Sequence, residues 1–176
     1  MLILVGPSAS GKTQIVKILR EQYGLNKMVT YTSRAMRPGE IEGVDYFFLS
    51  KEEFEKRISE GFFIEHVVYN GNYYGTSLSQ VSSDKVVILE PTGLKHYLNK
   101  VRKDVKVAFL RCSKEIVRIR MQRRGDHDGV IEKRLKLDSE VFNKEVMKMA
   151  DWIIDTSASN IYDNAKEIYL LYKDFI

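Results

Sequence analysis

Short apolar runs alternate along the chain with longer stretches in which apolar residues recur at helical spacing. Four of the short runs predict buried strands. They span residues 2–5, 86–89, 105–110 and 152–154. The longer stretches predict helices over residues 12–23, 94–101, 114–124, 130–149 and 161–172. Because strands that alternate with helices of this length usually form a parallel sheet covered on both faces, the pattern predicts an α/β fold.

Residues 30–76, which we call the flap, break this alternation. They are rich in Tyr, Phe and β-branched residues and hold a single short predicted helix, which begins at a possible capping box of Ser50 and Glu53. Residues 62–69 predict a strand, and Asn70-Gly71 is a strong hairpin signal. We therefore expect a small β-rich insertion between strands of the α/β core.

Composition narrows the class of protein. With 176 residues, 44% of them hydrophobic, the chain is long enough for one domain with a substantial core. A net charge of +4 suits a protein that handles phosphates but is small for a dedicated nucleic-acid binder. A single cysteine, Cys112, excludes an internal disulfide, and no apolar run approaches the length of about 18 residues that a membrane span needs. These features together predict a soluble cytoplasmic protein with no membrane partner.

The strongest motif follows the first predicted strand and precedes the first predicted helix. It fits G-x-x-x-x-G-K-[ST], and we call it the phosphate loop. Its residues, all expected to bind a nucleoside triphosphate, are Gly6, Pro7, Ser8, Ala9, Ser10, Gly11, Lys12 and Thr13. The glycines allow backbone N–H groups to converge on phosphate oxygens, at the positive end of the following helix. Lys12 is expected to bridge the terminal phosphates, and the Thr13 hydroxyl to ligate Mg²⁺.

This motif alone does not separate a kinase from a molecular switch or a motor, although the chain length favours a small-molecule kinase. The next informative segment runs from Ser33 to Phe48 and has the form S-R-x-x-R-x-G-E-x-x-G-x-D-Y-x-F. Farther along come Phe63-Ile64-Glu65 and the segment Gly71-Asn72-Tyr73-Tyr74-Gly75-Thr76. With the phosphate loop and a later Arg-Arg-Gly segment, these motifs closely resemble the guanylate kinase family over nearly the whole chain.

The resemblance implies a P-loop fold and transfer of the ATP γ-phosphate to GMP or dGMP, which yields GDP or dGDP and ADP. It implies that the GMP phosphate is held by Arg34, Arg37, Tyr46 and Tyr74, with Glu40 and Asp45 as supports. It implies that guanine is read by Thr30, Glu65 and Thr76. For Glu65 the chemistry is explicit, because a carboxylate accepts hydrogen bonds from guanine N1–H and the exocyclic amine, and adenine lacks that donor pattern.

Residues 121–149 include a polar, glycine-bounded loop and resemble the lid of a nucleotide kinase. The resemblance implies that Arg124 and Arg134 reach the donor phosphates when the lid closes, with Arg120 and Arg123 as neighbouring candidates for the role of Arg124. We therefore expect one domain over residues 1–176, in which the core comprises residues 1–29, 77–120 and 150–176. The oligomeric state is left open between monomer and homodimer.

Two segments depart from the family pattern. Where the family shows D-x-D, this chain has Glu90 and Thr92. Glu90 keeps a carboxylate that would hold Mg²⁺ through water, whereas Thr92 stands where the family uses an Asp to bind the acceptor nucleoside. Donor-base preference is also less secure, since Asp155-Thr156 replaces an Asn-Asp pair.

The expected mechanism needs no general base, because the nucleophile is an anionic phosphate oxygen, so the three histidines have no required catalytic role. Three alternatives stay open. One is a kinase of the same fold that acts on another nucleotide or a phosphorylated sugar, and a second is a catalytically inactive scaffold module. The third is nucleic-acid binding by the ten basic residues between Lys100 and Arg124.

Overall fold

The computed structural model describes residues 1–69 and 71–176, so the Asn70 half of the predicted hairpin turn lies outside the described residues. In chain order the strands are β1 (Leu2–Val5), β2 (Asn26–Lys27), β3 (Thr30–Thr32), β4 (Tyr46–Phe48), β5 (Phe63–Tyr69), β6 (Asn72–Ser77), β7 (Lys85–Ile88), β8 (Lys106–Arg111) and β9 (Trp152–Asp155). The helices are α1 (Lys12–Tyr23), α2 (Lys51–Ser59), α3 (Pro91–Val101), α4 (Lys114–Arg123), α5 (Asp128–Val141), α6 (Lys144–Lys148) and α7 (Ile161–Tyr172).

Five strands form a parallel sheet in the order β2-β7-β1-β8-β9. In the register of its centre, Ile3 lies opposite Val87 on one side and Val107 on the other. The four predicted strands and the parallel α/β architecture are therefore confirmed, with the short β2 added at one edge. Because all five strands are parallel, their carboxyl ends meet at one edge, and that is where sites lie in sheets of this type.

Buried side chains cover both faces of this sheet. Side chains of β1 alternate between the faces, so Ile3 packs with Tyr97 of α3 on one side, while Leu4 packs with Ile15 and Ile168 on the other. This two-sided burial explains why the strand sequences are continuous apolar runs rather than alternating ones.

The flap forms a second sheet of four strands in the order β4-β3-β6-β5. It has its own cluster of buried aromatic side chains, in which the Phe54 ring of α2 stacks on Phe63 at 4.3 Å between centroids. Tyr31 is buried in this cluster, and the half-buried Tyr73 packs against it. Ser50 Oγ accepts the Glu53 N–H at 3.0 Å, which gives the predicted cap of α2.

One helix prediction is wrong. Residues 130–149 do not form one helix, because α5 ends at Val141 and α6 begins only after Asn143. Asn143 has an extended backbone and its Oδ1 accepts the Glu145 and Val146 N–H groups, so it caps the new helix. The cap competes with a continuous helix, and the apolar spacing by itself did not show this.

Among the helices of the described residues, none is both long and apolar enough to span a bilayer.

Candidate active site

The phosphate loop lies close to two other elements, β8 and α7. A Cβ atom on Gly6 would lie 2.5 Å from the Leu110 carbonyl oxygen of β8, a distance that no side chain tolerates. Gly11 has a left-handed backbone with φ of +100°, and its Cβ would lie 2.9 Å from Ile161 of α7. Gly6 is therefore required by its close approach to the β8 backbone, and Gly11 by its left-handed backbone, since the tip of the Ile161 side chain could move.

Lys12, the first residue of α1, folds back over this loop. Its ammonium group donates to the carbonyl oxygens of Gly6 at 2.5 Å and Pro7 at 2.7 Å. Burial lowers the pKa of Lys12 from its ordinary value, and the carboxylates of Glu90 and Asp138 oppose that shift. A cation held by carbonyl oxygens in a partly dry position is suited to bind an anion more strongly than an exposed lysine.

A carboxylate from α5 also contacts the loop. The Ser8 backbone N–H donates to Asp138 Oδ2 at 2.7 Å, across 130 positions of sequence. The backbone amides of this motif are the groups that bind phosphate oxygens. The Asp138 carboxylate is an anion of the protein itself that occupies one of these amides. Asp138 was not predicted from the sequence. The available signal was its position four residues after Arg134, which places the two on one face of α5.

A cleft of about 460 Å³ lies along the phosphate loop. It is lined by the six consecutive residues 9–14 and by Arg120, Arg124 and Ile161. Arg120 is the arginine that touches the loop, since it donates to the carbonyl oxygens of Ala9 at 3.1 Å and Thr156 at 2.6 Å. Arg124 lines the same cleft and pairs with Asp126. The sequence named Arg120 only as a neighbour of Arg124, and tertiary contacts give it the more direct position.

A second cleft, of about 510 Å³, joins the loop to the flap. It is lined by Thr13 of α1, by Thr30 and Tyr46 of the flap, and by basic side chains that include Lys17 and Arg20. Residues predicted to serve the two substrates therefore share one cleft.

One corner of the flap holds the Arg34 side chain and the Arg37 backbone. Arg34 donates to Glu40 Oε1 at 2.6 Å, and its guanidinium lies 5.4 Å from the Tyr46 ring centroid. Tyr46 and Tyr74 pack edge to face at 6.2 Å. The hydrogen bond from Arg34, together with one from the Arg37 backbone N–H, holds the pKa of Glu40 below its usual range. Glu40 thus contacts Arg34 and the Arg37 backbone, and Asp45 accepts the Ile41 N–H at 2.8 Å, while the support roles of both residues stay predictions.

Glu65 and Thr76 meet across the β5–β6 pair. They are register partners, and Thr76 Oγ1 donates to Glu65 Oε1 at 3.3 Å. The start of α3 closes the space beside them, since a Cβ on Gly93 would lie 3.7 Å from Glu65 Oε2. Thr92, the preceding residue, is exposed. The two predicted base-reading side chains are thus brought together, with Thr92 at their edge.

Other predicted residues lie farther from these contacts. Arg37 has an exposed side chain, and Arg134 is exposed on α5 without lining either cleft. Glu90 stands at the N-cap position of α3 without a side-chain capping hydrogen bond; it is exposed, and its charge raises the pKa of Lys12 against the effect of burial. No cluster of three or more His, Cys, Asp or Glu side chains suited to a metal occurs among residues 1–69 and 71–176.

A glycine-rich loop between a buried parallel strand and a helix, with Lys12 and Thr13 at its end, defines a P-loop nucleotide-binding protein. Comparisons with known proteins specify the family. The guanylate kinase family model matches residues 1–168. The chain belongs to the guanylate kinase family.

Individual relatives agree with this assignment. The chain is 38% identical to a guanylate kinase of Fusobacterium nucleatum over 143 residues, which cover 77% of this chain and 77% of that protein. It is also 38% identical to a guanylate kinase of Legionella pneumophila strain Paris over 143 residues, covering 77% of this chain and 68% of that protein. The crystal structure of guanylate kinase from Anaplasma phagocytophilum is similar with a TM-score of 0.64 at 25% identity, covering 99% of this chain and 84% of that one.

Proposed function

We propose that this chain is an ATP-dependent kinase that phosphorylates GMP, and also dGMP, with release of ADP. The observation that carries the proposal is the shared cleft, in which Thr13 of the phosphate loop lies with Thr30 and Tyr46 of the flap. Direct transfer between two nucleotides needs such a common space, because the donor and acceptor phosphates must come into line.

On the donor side, the loop amides from Gly6 to Thr13 bind the ATP phosphates. Lys12 exchanges its carbonyl partners for phosphate oxygens and neutralises charge on the moving phosphoryl group. Arg124, which already lines the loop cleft, and Arg134 add positive charge as the lid closes. In this proposal the lid comprises residues 121–149, the flap residues 30–76, and the core the rest of a single domain.

On the acceptor side, Arg34 and Arg37 hold the GMP phosphate with Tyr46 and Tyr74, while Glu40 orients the arginine fork. Glu65 accepts hydrogen bonds from guanine, and Thr76, Thr30 and Thr92 complete the base site. The attacking phosphate oxygen is already anionic near neutral pH, so no side chain needs to remove a proton. Closure over both nucleotides excludes water and thereby protects ATP from hydrolysis.

The residues present suit Mg²⁺, which prefers oxygen ligands and binds through few protein groups plus substrate phosphates. Thr13 offers a hydroxyl that lines both clefts, and Glu90 offers a carboxylate near Lys12. When bound, the ion would neutralise charge on the donor phosphates. We further propose that the enzyme acts in the cytoplasm, as a monomer or a homodimer.

The nucleic-acid alternative is disfavoured by how the basic stretch is used. Arg102 and Lys106 pair with Asp151, and Arg111 pairs with Asp155. Arg118 pairs with Glu132, and Lys100 donates to the Phe63 carbonyl oxygen at 2.9 Å. Basic side chains paired with carboxylates in this way attract a phosphate backbone less than unpaired ones.

The test is a coupled assay of ADP release with ATP and, in turn, GMP, dGMP, AMP, CMP and UMP. We expect rates with GMP and dGMP to exceed those with the other three by at least about 10²-fold, as expected when unsuitable bases leave polar groups unpaired. A preference for AMP, CMP or UMP would overturn the proposal and favour a kinase of the same fold with another acceptor. Salt-sensitive binding to duplex DNA without kinase activity would favour the nucleic-acid alternative.

A further inference from the structure

Ala9, in the middle of the phosphate loop, has an unusual backbone conformation. Its φ is +54°, in the left-handed region, and among the residues that the structure describes it is the only non-glycine with a positive φ. A Cβ atom makes this region unfavourable, and alanine has no polar side-chain atom that could hydrogen-bond locally in compensation, as Asn and Asp do. Contacts from elsewhere in the fold must therefore hold Ala9 in this conformation.

Helix α4 supplies contacts to Ala9 at two points. The half-buried methyl group packs against a buried cluster from α4 and α5, which consists of Val117, Met121, Ile131 and Leu135. Arg120 of α4 donates to the Ala9 carbonyl oxygen at 3.1 Å. Val117, Arg120 and Met121 lie on one face of α4, because residues three and four positions apart are neighbours on a helix. One helix face thus serves both the side chain and the carbonyl group of Ala9.

The left-handed conformation of Ala9 matters for phosphate binding. A left-handed residue next to a right-handed one turns successive backbone N–H groups toward a single anion. Glycine adopts this conformation easily but also leaves it easily, since it has no Cβ atom to restrict it. A methyl group that is packed against two helices restricts the loop before the donor binds. Groups that are already ordered lose less conformational entropy on binding, so the packing of Ala9 favours donor affinity.

We propose that Ala9 is a positioning residue for the donor site: its methyl group, packed against α4 and α5, holds the phosphate loop in the left-handed turn that donor phosphates require. This role rests on the proposed ATP-dependent kinase function and deepens its donor site. Ala9 acts through the backbone N–H groups of the loop, and it links their direction to the packing of the lid helix α5.

The test uses Ala9→Gly, which removes the methyl group, and Ala9→Ser, which keeps the Cβ atom. The matched control is Ala150→Gly, which removes a half-buried methyl group that packs against the core cluster around Ile3 and Tyr97, from a residue outside the left-handed region. For each variant, kcat and KM are measured for ATP and GMP, and calorimetry gives the Kd of the non-hydrolysable analogue AMP-PNP. Amide hydrogen exchange and thermal unfolding are measured on the nucleotide-free proteins.

For Ala9→Gly we expect KM for ATP and Kd for AMP-PNP to rise about twofold to fourfold, the scale of one partly buried methyl group. KM for GMP should not change. Amides of α5 should exchange faster by a similar factor, whereas those of α3 should not. The Tm of Ala9→Gly should stay near that of the parent, because relief of the left-handed strain offsets the lost contact. Ala9→Ser should bind the donor like the parent, and Ala150→Gly should lower the Tm without changing donor affinity.

Four outcomes overturn the inference. An unchanged or lower Kd for AMP-PNP in Ala9→Gly would mean that the strained conformation does not serve donor binding. An equal rise of that Kd in Ala150→Gly or in Ala9→Ser would mean that the packed Cβ atom of Ala9 is not the cause. Unchanged exchange in α5 would mean that the methyl group does not act through the lid helix. Failure of the proposed function is distinguishable, because the unsubstituted protein would then bind AMP-PNP but release no ADP from ATP with GMP as acceptor.

Discussion

The phosphate loop and the flap are two anion-binding regions built in different ways. The loop takes its groups from eight consecutive residues, and its Gly6 lies against the backbone of β8. The flap corner takes its groups from β4, β6 and the segment between β3 and β4, and holds them by side-chain contacts such as Arg34 with Glu40. A backbone site of the first kind is rigid and general for phosphate, whereas a side-chain site of the second kind is adjustable and selective.

Burial differs between the two regions as well. Lys12 is buried enough that its pKa is lowered, and its partners are neutral carbonyl groups. The hydrogen bond to the Glu40 carboxylate raises the pKa of Arg34, and its guanidinium also lies 5.4 Å from the Tyr46 ring centroid. Substituting a charged side chain should therefore lower activity more at the loop than at the flap corner.

The largest effect is expected from Lys12→Ala. Removing the cation should lower kcat by about 10²–10³-fold, the range for one transition-state charge partner, without loss of the fold. The control is Lys148→Ala, whose 72% exposed side chain pairs with Glu145. Steady-state kinetics with ATP and GMP measure kcat, and circular dichroism shows whether each variant is folded. Near-normal turnover in Lys12→Ala would contradict the rigid-site account of the loop.

The same lysine predicts a pH dependence of stability. Because folding lowers the pKa of Lys12, the unfolded state binds more protons between the lowered value and the ordinary value near 10.4. In that alkaline window the contribution of Lys12 to the free energy of unfolding rises with pH. Urea unfolding of the parent protein and Lys12→Ala across this range should show a steeper rise for the parent. Parallel curves would exclude a folded-state shift at Lys12.

Glu65→Gln should produce the next largest effect, confined to the acceptor. An amide cannot accept both guanine donors, so kcat/KM for GMP should fall about 10²-fold while KM for ATP changes little. Glu55→Gln is the matched control in the flap, where the Glu55 carboxylate accepts the Tyr73 hydroxyl at 2.9 Å. If KM for ATP rose as much as KM for GMP, the two regions would not be separable.

Glu40→Gln should have a smaller effect, because it weakens the support of Arg34 rather than the arginine itself. We expect KM for GMP to rise by about threefold, in line with a partly exposed ion pair. Because the pKa of Glu40 is lowered in the folded protein, its carboxylate is ionised and paired with Arg34 at neutral pH. The support that it gives Arg34 disappears only as pH falls below about 4. GMP affinity measured from about pH 7 to about pH 4 should therefore show no effect of this ion pair except near pH 4. A change in affinity already near about pH 6 would point to another titrating group.

The smallest effect is expected from Asp138→Asn. Its carboxylate competes with donor phosphates for the Ser8 N–H, so the variant should lower KM for ATP by about twofold. Glu140→Gln removes a charge from the same helix at an exposed position and serves as the control. An increase in KM for ATP would mean that Asp138 supports the loop rather than competing for it.

Much of this molecule is readable from local sequence. The apolar runs predicted the four longer core strands, and the spacing of apolar residues predicted α1 and α7 with the observed ends. The break between α5 and α6 was not predicted, because the Asn143 cap acts against an otherwise helical pattern. The motifs also named Arg34, Glu40 and Glu65, and the structure gives them contacts with Tyr46 and Thr76.

The sequence by itself determined the parallel α/β core and the phosphate loop, because short-range spacing and burial of apolar runs depend on neighbours along the chain. Only the tertiary structure decided that Asp138 contacts Ser8, 130 positions away, and that Arg120 rather than Arg124 touches the loop. The physical reason is that these contacts join elements whose relative placement follows from packing of the whole core, and no local pattern encodes which distant side chains meet.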